Sequence, residues 1–370
     1  MSRANIFGII CGYGATGSAV ASELLKSCDG EILIGGRDLA KAKALAAKLG
    51  SRVSAACVDV LDALSLDEFC GPCPILINCA GPVMQLRDCA AQAALRSRSH
   101  CIDLASVTFV KERMLAHDRE IVELGLSFVI SAGWMPGLSE LLPVYAHARA
   151  RAGMDTVDSV TIYFGDSGEW SANALRDDVW YIRKAGFRSP GHFHRGEWVR
   201  VKRTEASRTA DLGEPVGRGR FLLFSDPELD EVGRRLKDCD VFSYSYLSGF
   251  RRVLAATSIA LLPLPESVGV RLLKNIFRSN RLPIDGFVVA LVAGRSGGRK
   301  IGFTAQIVYR QRRDYWINGL VPAIAARMIA QGKSVSAGVH YLADAVDPTT
   351  FMAELRNAGV EQTERSEVGE

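Results

Sequence analysis

The first third of the chain alternates short apolar runs with runs in which apolar residues recur at helical spacing. The first such helical run carries Ala19, Val20, Leu24 and Leu25 on one face. Short apolar runs that end at glycine or polar residues are typical of buried strands. We predict strands at Ile6–Cys11, Ile32–Ile34, Val53–Val60, Ile75–Ala80, His100–Leu104 and Leu126–Ser131. Strands that alternate with helices in this way predict an α/β fold with a parallel, doubly wound sheet.

The pattern changes beyond about residue 150, where longer segments alternate apolar and polar positions as strands do. We predict strands at Val157–Phe164, Phe193–Val201, Ile284–Ala293 and Ile301–Arg310. The last two strands should form a hairpin that turns at Ser296-Gly297-Gly298. Helices are predicted at Met84–Leu95, Thr108–Leu124, Trp316–Ile329 and Pro348–Asn357. The second half of the chain therefore predicts an α+β domain built on a mixed or antiparallel sheet.

The change of pattern sets the expected domain boundaries. Residues 1–135 should form the first domain, and the segment 320–360 should pack back onto it. Residues 136–319 should form the second domain. The polar tail 361–370 is expected to be disordered.

A glycine-rich turn separates the first predicted strand from the first predicted helix. It has the form G-x-G-x-x-G and consists of Gly12, Tyr13, Gly14, Ala15, Thr16 and Gly17. In the strand–turn–helix context these glycines suit the tight turn, the close approach of a pyrophosphate and the packing of helix on sheet. The N–H groups that open the helix would face the phosphates. The pattern predicts a Rossmann domain that binds a dinucleotide.

The end of the second strand indicates which dinucleotide. An NAD site usually has an acidic residue there for the ribose hydroxyl, whereas this chain has Gly35 and Gly36 followed by Arg37. A guanidinium suits a 2′-phosphate, so we predict NADP(H) as the cofactor. Asp38 is expected to cap the next helix. The alternative is a Rossmann scaffold that binds no nucleotide and carries Arg37 on its surface.

Composition and charge agree with a soluble globular enzyme. The 370 residues are 48% hydrophobic and 23% charged, and the net charge of +4 is too small to argue for nucleic acid. We find no apolar run as long as the roughly 18 residues of a membrane span. Because the N-terminal apolar run is already the first strand, we expect no signal peptide and a cytoplasmic location.

Most of the nine cysteines fall in the first domain and look like small core residues. Cys70 and Cys73 form a single C-x-x-C pair without a second pair nearby. A redox pair or a zinc site is the alternative there, but the spacing favours structural thiols. We expect no metal site.

Several motifs together resemble the saccharopine dehydrogenase-like oxidoreductases, in particular the NADP-dependent saccharopine reductase branch. Besides the glycine turn and the Gly36-Arg37-Asp38 segment, they are Asn78-Cys79-Ala80-Gly81-Pro82, His100-Cys101-Ile102-Asp103-Leu104, Ala132-Gly133-Trp134-Met135-Pro136-Gly137, Gly338-Val339 and Asp347-Pro348. The resemblance covers residues 5–140 well, the C-terminal segment less well and the stretch 165–280 poorly. It implies reversible hydride transfer between a nicotinamide and the carbon of an imine or secondary amine. It also implies a homodimer that forms through the second domain.

The resemblance also assigns expected roles to individual residues. Asp59 and Val60 would lie near the adenine, and the nicotinamide ribose would lie along Cys79, Ala80, Gly81 and Pro82. Asp103 and Ser106 would lie near the reacting centre, and Trp134 and Met135 would help to close the substrate cleft. The family motif often has an acidic residue where this chain has Met135. We therefore expect an imine, amino acid or specialised metabolite other than saccharopine as the substrate.

Reduction of an imine requires a proton at the nitrogen, so a nearby acid is needed. Asp103 is one candidate for this acid, and its alternative role is to brace the loop. His192 and His194 are further candidates, because strand alternation would put both on one face. Arg188 and Arg195 could clamp a substrate carboxylate.

Two other functions remain open at this point. The first is reduction of a C=C bond, as in enoyl reductases, which an apolar channel around Val253–Leu264 would favour. The second is a non-catalytic regulator that binds NADP on the same fold, since a fold alone does not establish activity.

Overall fold

The computed structural model describes residues 5–104, 108–167, 170–185, 190–246, 250–278, 284–310, 315–333 and 335–368. The chain divides into two compact units. The first consists of Met1–Leu138 and Arg312–Leu355, and the second of Ser139–Gln311 and Arg356–Glu370. The predicted site residues Ser106 and Arg188 lie outside the described residues.

The strands and helices alternate closely in the first part of the chain. The strands are β1 (Ile6–Ile10), β2 (Glu31–Gly36), β3 (Val53–Cys57), β4 (Ile75–Asn78), β5 (His100–Asp103), β6 (Ser127–Ile130), β7 (Thr156–Asp166), β8 (Gly191–His194), β9 (Glu197–Arg200), β10 (Ser207–Asp211), β11 (Arg218–Leu223), β12 (Asp240–Tyr246), β13 (Gly286–Ser296), β14 (Arg299–Tyr309), β15 (Gly338–Tyr341) and β16 (Glu361–Val368). The helices are α1 (Ala15–Ser27), α2 (Leu39–Leu49), α3 (Ala63–Cys70), α4 (Val83–Leu86), α5 (Cys89–Arg96), α6 (Thr108–Leu115), α7 (Asp118–Glu123), α8 (Leu138–Arg151), α9 (Ala172–Ala185), α10 (Pro227–Arg235), α11 (Phe250–Leu261), α12 (Glu266–Arg278), α13 (Trp316–Ala330), α14 (Leu342–Ala345) and α15 (Pro348–Asn357), with a 3₁₀ turn at Arg203–Glu205.

The first unit is built on a seven-stranded sheet whose order is β15-β6-β5-β4-β1-β2-β3. All of its neighbouring strands pair in parallel. This confirms the predicted Rossmann sheet. The strand order reverses at β1, which lies between β2 and β4, and ligands of such sheets bind beside the carboxyl ends of the strands at that point.

Helix α13 joins the first unit from the C-terminal part of the chain and packs on α1. A Cβ atom on Gly319 would overlap the Ala19 side chain, so the two helices approach each other closely because neither position has a long side chain. The buried residues of α13 include Leu320, Val321 and Ile324. The apolar core on the other face of the sheet includes both cysteines of the C-x-x-C pair. Cys70 and Cys73 are fully buried free thiols, and burial raises the pKa of Cys70 to about 12.

The second unit is built on a nine-stranded mixed sheet. The main path is β10-β11-β12-β7-β13-β14-β16, and β8 pairs with both β12 and β9. Strands β12 and β7 run parallel, whereas the other pairs are antiparallel. The predicted mixed sheet is therefore confirmed. Strands β13 and β14 form the expected hairpin, with Gly297 and Gly298 at φ values of +55° and +79° in its turn.

Four predicted elements are wrong. The helices predicted at Met84–Leu95 and Thr108–Leu124 are each divided into two helices, α4 and α5 in the first case and α6 and α7 in the second. The segment Phe193–Val201 is not one strand, because Arg195 and Gly196 take positive φ values of 48° and 89° and turn the chain between β8 and β9. The C-terminal tail is not disordered, since β16 pairs with β14 from Glu361 to Val368. Its Glu364 carboxylate accepts a hydrogen bond from the Tyr145 hydroxyl at 2.5 Å. Polar composition hid this strand, because backbone pairing at a sheet edge needs few apolar side chains.

No helix within the described ranges has both the length and the apolar character that a bilayer span requires.

Candidate functional site

The glycine turn joins β1 to α1 at the carboxyl edge of the first sheet. The N–H of Gly12 donates to the carbonyl of Gly35, and the N–H of Gly14 donates to the carbonyl of Cys11, both at 2.9 Å. A Cβ atom on Gly17 would lie 2.5 Å from the Cys11 carbonyl oxygen. Only glycine at this position lets α1 dock against the turn. The third glycine of the motif is thus required by packing inside the first unit.

The first turn of α1 is open to a ligand. Gly14 caps the helix without a side-chain hydrogen bond, and Ala15 is exposed while Thr16 is half-buried. No described side chain accepts from the N–H groups of Ala15 and Thr16. Free N–H groups at a helix N-terminus, together with the positive end of the helix dipole, attract phosphate.

The end of β2 is covered by the Tyr13 ring at Gly36 and is followed by the exposed Arg37. The Tyr13 ring packs against Gly36 so closely that a Cβ atom there would overlap it, and the Tyr13 hydroxyl accepts from the N–H of Asp38 at 3.1 Å. The Arg37 side chain is exposed and forms no hydrogen bond or ion pair with any described residue. The Asp38 carboxylate accepts from the N–H of Lys41 and so caps α2, which lowers the pKa of Asp38. Within the part of the chain that the structure describes, Arg37 is thus a cation at this edge without an anionic partner.

The turns after β3 and β4 complete this edge of the sheet. The Asp59 carboxylate accepts from the N–H of Leu61 at 3.0 Å and braces its own turn, and Val60 is half-buried. The N–H of Cys79 donates to the Ile10 carbonyl at 3.1 Å, which ties the turn after β4 to the end of β1. Ala80 and Gly81 are half-buried, and Pro82 precedes α4. The predicted cofactor residues thus lie together at the carboxyl ends of β1 to β4.

Asp103 lies inside this edge rather than on its surface. Its side chain is fully buried, and its carboxylate accepts a hydrogen bond from the Asn78 amide, with 3.0 Å between Nδ2 and Oδ2. The other end of the same amide, Oδ1, accepts from the N–H of Ala80 at 3.1 Å. The carboxylate therefore orients Asn78, which in turn holds the loop that carries Ala80.

A tight turn follows β6 and leads into α8. The N–H of Gly133 donates to the Pro136 carbonyl at 3.0 Å, and Gly137 has a φ of 134° beside Gly133. Trp134 is buried and Met135 is half-buried. The N–H of Trp134 donates to Oδ1 of Asn318, at the start of α13, at 3.0 Å. Asn318 could not be predicted from sequence, because only the fold brings it to a residue so distant in the chain.

The predicted histidines belong to the second unit. His192 and His194 alternate along β8 with the buried residues Gly191 and Phe193, so the two histidines share one face of the strand. The His192 ring stacks on Phe242 with 4.3 Å between centroids, and its Nδ1 is buried without a hydrogen-bond partner. Burial lowers the pKa of His192. The imidazole is therefore neutral near neutral pH.

His194 forms a dyad that the sequence pattern did not indicate. Its Nδ1 is 2.7 Å from Oδ1 of Asp240, and the two residues pair directly across β8 and β12. Hydrogen bonding at Nδ1 leaves Nε2 as the nitrogen that can exchange a proton. Arg195, the predicted carboxylate clamp, is exposed in the turn that follows.

A cluster of carboxylates lies in the second unit, where the first turns of α8 and α10 meet. It consists of Glu140 in the first turn of α8 and Asp226, Glu228 and Asp230 at the start of α10. Three of these residues are almost completely buried, namely Glu140, Glu228 and Asp230. Burial beside the charges of Glu228 and Glu140 raises the pKa of Asp226 well above its ordinary value. Asp226 therefore keeps its proton at pH values where an ordinary aspartate is ionised.

The sequence did not indicate this cluster, because its residues at the start of α10 have the usual pattern of a helix N-terminus. Asp226 accepts from the N–H of Leu229 at 2.7 Å, and a capping aspartate followed by proline and acidic residues is common at helix N-termini. The unusual feature is that the fold buries Glu140, Glu228 and Asp230 beside the half-buried Asp226.

Comparison with known proteins gives a consistent result for the first unit. Residues 9–129 match the model of the saccharopine dehydrogenase NADP-binding domain. A human saccharopine dehydrogenase-like oxidoreductase is 23% identical over 141 residues, which are 38% of this chain and 32% of the relative. The match thus spans about a third of the length of that curated relative.

The fold also resembles a solved structure along nearly the whole chain. Apo saccharopine dehydrogenase (L-Glu forming) from Saccharomyces cerevisiae superposes with a TM-score of 0.68 at 16% identity, covering 98% of this chain and 100% of the other. At this identity the likeness establishes the fold alone. Residues 9–129 of this chain therefore form an NADP(H)-binding domain of the saccharopine dehydrogenase type, and the whole chain resembles saccharopine dehydrogenase in fold.

Proposed function

We propose that the protein is an NADPH-dependent oxidoreductase that transfers hydride to or from the carbon of a C=N bond. Its substrate would be the imine or secondary amine of an amino-acid-like or specialised metabolite. The NADP-binding domain supports the cofactor half of this proposal. The chemistry of the family and the charge distribution of the second unit support the substrate half.

The observation that carries the preference for NADPH is the free guanidinium of Arg37. The Arg37 side chain is exposed and has no anionic partner among the residues that the structure describes. A 2′-phosphate would supply that partner through charge-assisted hydrogen bonds. A ribose 2′-hydroxyl would not supply an anionic partner. The acidic residue next to Arg37 in the chain, Asp38, already caps α2.

The observation that favours a C=N substrate is the carboxylate cluster of Glu140, Asp226, Glu228 and Asp230. A protonated imine is a cation, and buried carboxylates stabilise a cation more strongly than exposed ones do. An enoyl group gains no such stabilisation. The cluster therefore favours a substrate that is positively charged when it accepts hydride.

The cluster also offers a proton for the substrate nitrogen. When bound, the cofactor supplies the hydride; the protein must hold the substrate and supply or remove the proton. Burial raises the pKa of Asp226, so this carboxyl keeps its proton to higher pH than an ordinary aspartate does and offers that proton to the substrate nitrogen. In this proposal Asp103 acts as a positioning residue, because its carboxylate is buried against Asn78.

The His194–Asp240 dyad is the alternative proton donor, and His192 beside it is neutral and stacked on Phe242. Measurements of kcat distinguish a proton from the carboxylate cluster from a proton from His194. If the carboxyl cluster donates the proton, Asp226→Asn should lower kcat by about 10²–10⁴-fold, while His194→Gln should leave kcat within a few-fold of wild type. The reverse pattern would assign the proton to His194.

If His194 donates the proton, the neighbouring Arg195 is the proposed clamp for a substrate carboxylate. Arg195→Gln should then raise KM for the substrate.

A specific observation favours C=C reduction as a second candidate. Leu254 and Leu261 on α11 and Leu262 just beyond it are 54%, 73% and 52% exposed. Exposed leucines of this kind suit an apolar, lipid-like substrate or carrier.

A substrate screen distinguishes these functions. Oxidation of NADPH should be followed with pairs of amines and carbonyl compounds and, in parallel, with enoyl compounds. The proposal predicts turnover with an amine–carbonyl pair and none with enoyl compounds. Turnover with enoyl compounds alone would support the second candidate, and tight NADPH binding without turnover in either series would indicate a regulator.

We also propose a homodimer and a cytoplasmic location. The support for the dimer is one face of the second sheet, where Phe242, Thr161 and Leu291 stand side by side on β12, β7 and β13. Phe242 and Leu291 are only half-buried there. Analytical ultracentrifugation should give twice the mass of the chain, and Leu291→Asp should shift it to the monomer. A monomeric wild type would contradict this part of the proposal.

A further inference from the structure

Three side chains that can bind metal meet in the second unit, between α8 and the turn before β12. His147 lies on α8, and Asp238 and Cys239 immediately precede β12. One ligand atom from each lies within 4.8 Å of the other two. Nε2 of His147 is 3.0 Å from Oδ1 of Asp238. Sequence spacing did not predict this group, because His147 is 91 positions away from Asp238.

The three residues differ in burial in a way that suits a bound ion. Cys239 is 1% exposed, whereas the side chains of His147 and Asp238 are 14% and 42% exposed. The Cys239 sulfur is therefore buried at the inner side of the group, and the Asp238 carboxylate lies at the side that faces solvent. An ion could enter from solvent past Asp238 and reach the sulfur, which is the entry path that a metal site needs.

We propose that His147, Asp238 and Cys239 bind Zn²⁺, with water completing the coordination. A set of one imidazole, one carboxylate and one thiolate suits Zn²⁺, whereas Mg²⁺ and Ca²⁺ prefer oxygen ligands only. Ligand atoms of a tetrahedral zinc site are roughly 3.5 Å apart, given the usual bond lengths. Atoms that already lie within 4.8 Å of one another need only small side-chain movements to reach that spacing.

Charged groups next to the three residues affect metal binding. Arg151 is paired with Asp238, with 3.7 Å between Nη1 and Oδ2, and its half-exposed side chain can turn to solvent when the ion binds. Burial, together with the charges of Asp238 and Asp240, raises the pKa of Cys239 to about 12. The form of Cys239 that binds Zn²⁺ is the thiolate, so metal binding displaces the thiol proton.

Titration of the metal-free full-length protein with Co²⁺ tests the proposal directly, since a cobalt–thiolate bond gives a charge-transfer absorption band that other ligands do not. The band should saturate at one equivalent of Co²⁺ and disappear on addition of Zn²⁺. Cys239→Ser should abolish the band. His147→Gln and Asp238→Asn should each weaken binding by more than about tenfold.

Cys57→Ser is the matched control, because Cys57 is an exposed thiol in the first unit. This variant should keep the band and the stoichiometry. Thermal unfolding of each metal-free variant shows whether a loss of binding is due to a loss of folding. Asp238 is an exposed ligand, so Asp238→Asn changes the site without disturbing the core. Absence of the band, its persistence in Cys239→Ser, or its loss in Cys57→Ser would overturn the proposal.

Discussion

The amide of Asn78 donates a hydrogen bond to the carboxylate of Asp103, with 3.0 Å between Nδ2 and Oδ2, and both side chains are buried. The two residues end the neighbouring parallel strands β4 and β5 and pair directly across them. Because Oδ1 of the same amide holds the N–H of Ala80, the pair links the end of β5 to the loop after β4. A carboxylate in this position supports the loop and does not face open solvent.

Substitution of Asp103 should therefore affect stability more than chemistry. Asp103→Ala leaves the buried Asn78 amide without its acceptor and should lower the free energy of unfolding by about 1–3 kcal/mol. Asp103→Asn keeps an acceptor oxygen and should cost less. Its turnover should stay within about tenfold of wild type, a smaller loss than removal of a general acid gives. Urea unfolding and steady-state kinetics measure both quantities, and a loss of turnover in Asp103→Asn with normal stability would restore Asp103 as the proton donor.

Gly17→Ala should impair cofactor binding by displacing α1 from the glycine turn. The added Cβ would lie 2.5 Å from the Cys11 carbonyl oxygen, so the helix must move. We expect the NADPH dissociation constant to rise by at least tenfold, corresponding to about 1.4 kcal/mol. The control is Gly71→Ala, where the nearest atom to a Cβ is 3.4 Å away and the backbone is already helical. Equal NADPH affinity in both variants, measured by fluorescence titration, would show that this packing does not govern the cofactor site.

The stability of the protein should respond to Asp226 in a direction fixed by its raised pKa. The folded protein favours the protonated carboxyl, so the stability that this group contributes is fully present below its ordinary pKa of 3.8 and is lost as the pH rises through the folded-state value. Asp226→Asn stays neutral and can still cap α10. Its free energy of unfolding, relative to wild type, should therefore increase with pH above 3.8.

Asp38→Asn provides a control of opposite sign. The hydrogen bond from Lys41 lowers the pKa of Asp38, so wild type gains stability from the ionised carboxylate as the pH rises, and the variant cannot. Urea unfolding of both variants from acidic to mildly alkaline pH gives the two slopes. Slopes of the same sign would contradict the assignment for Asp226.

The thiol of Cys11 should report cofactor binding. Its sulfur lies 3.2 Å from the position of a Cβ on Gly14, so it borders the turn where phosphates are expected. Cys28, at the other end of α1, is the matched control, because both thiols are half-buried and burial raises the pKa of each. NADPH should slow alkylation of Cys11, followed by peptide mass spectrometry, and leave Cys28 unchanged. Equal rates at Cys11 with and without NADPH would place the cofactor elsewhere.

The first unit could be predicted from sequence because its signals are local. The turn from Gly12 to Gly17 lies between a strand and a helix that are contiguous in the chain, and the parallel sheet follows from the repeated alternation. Asn318 could not be found in this way, because its contact with Trp134 spans 184 positions. Nor could the carboxylate cluster, in which Glu140 joins residues of a different helix.

The second unit was predicted only in outline. Alternation correctly indicated strands, but it could not locate the turn at Arg195 and Gly196, where a non-glycine residue takes a positive φ. The partner of His194 also escaped prediction, because Asp240 comes from a strand that the sequence pattern did not pair with it. The turn at Arg195 and the pairing of His194 with Asp240 depend on which strands pair through their backbones. The periodicity of side chains along the sequence says little about that pairing.

The most direct test of the account is the cofactor preference of Arg37→Ala. Dissociation constants for NADPH and NADH should be measured by titration for wild type and variant under the same salt conditions. Loss of charge-assisted hydrogen bonds to the 2′-phosphate should weaken NADPH by about 10–100-fold, while NADH, which lacks that phosphate, should change by less than about twofold. Equal weakening of both nucleotides, or no change in either, would contradict the assignment of Arg37 to the 2′-phosphate.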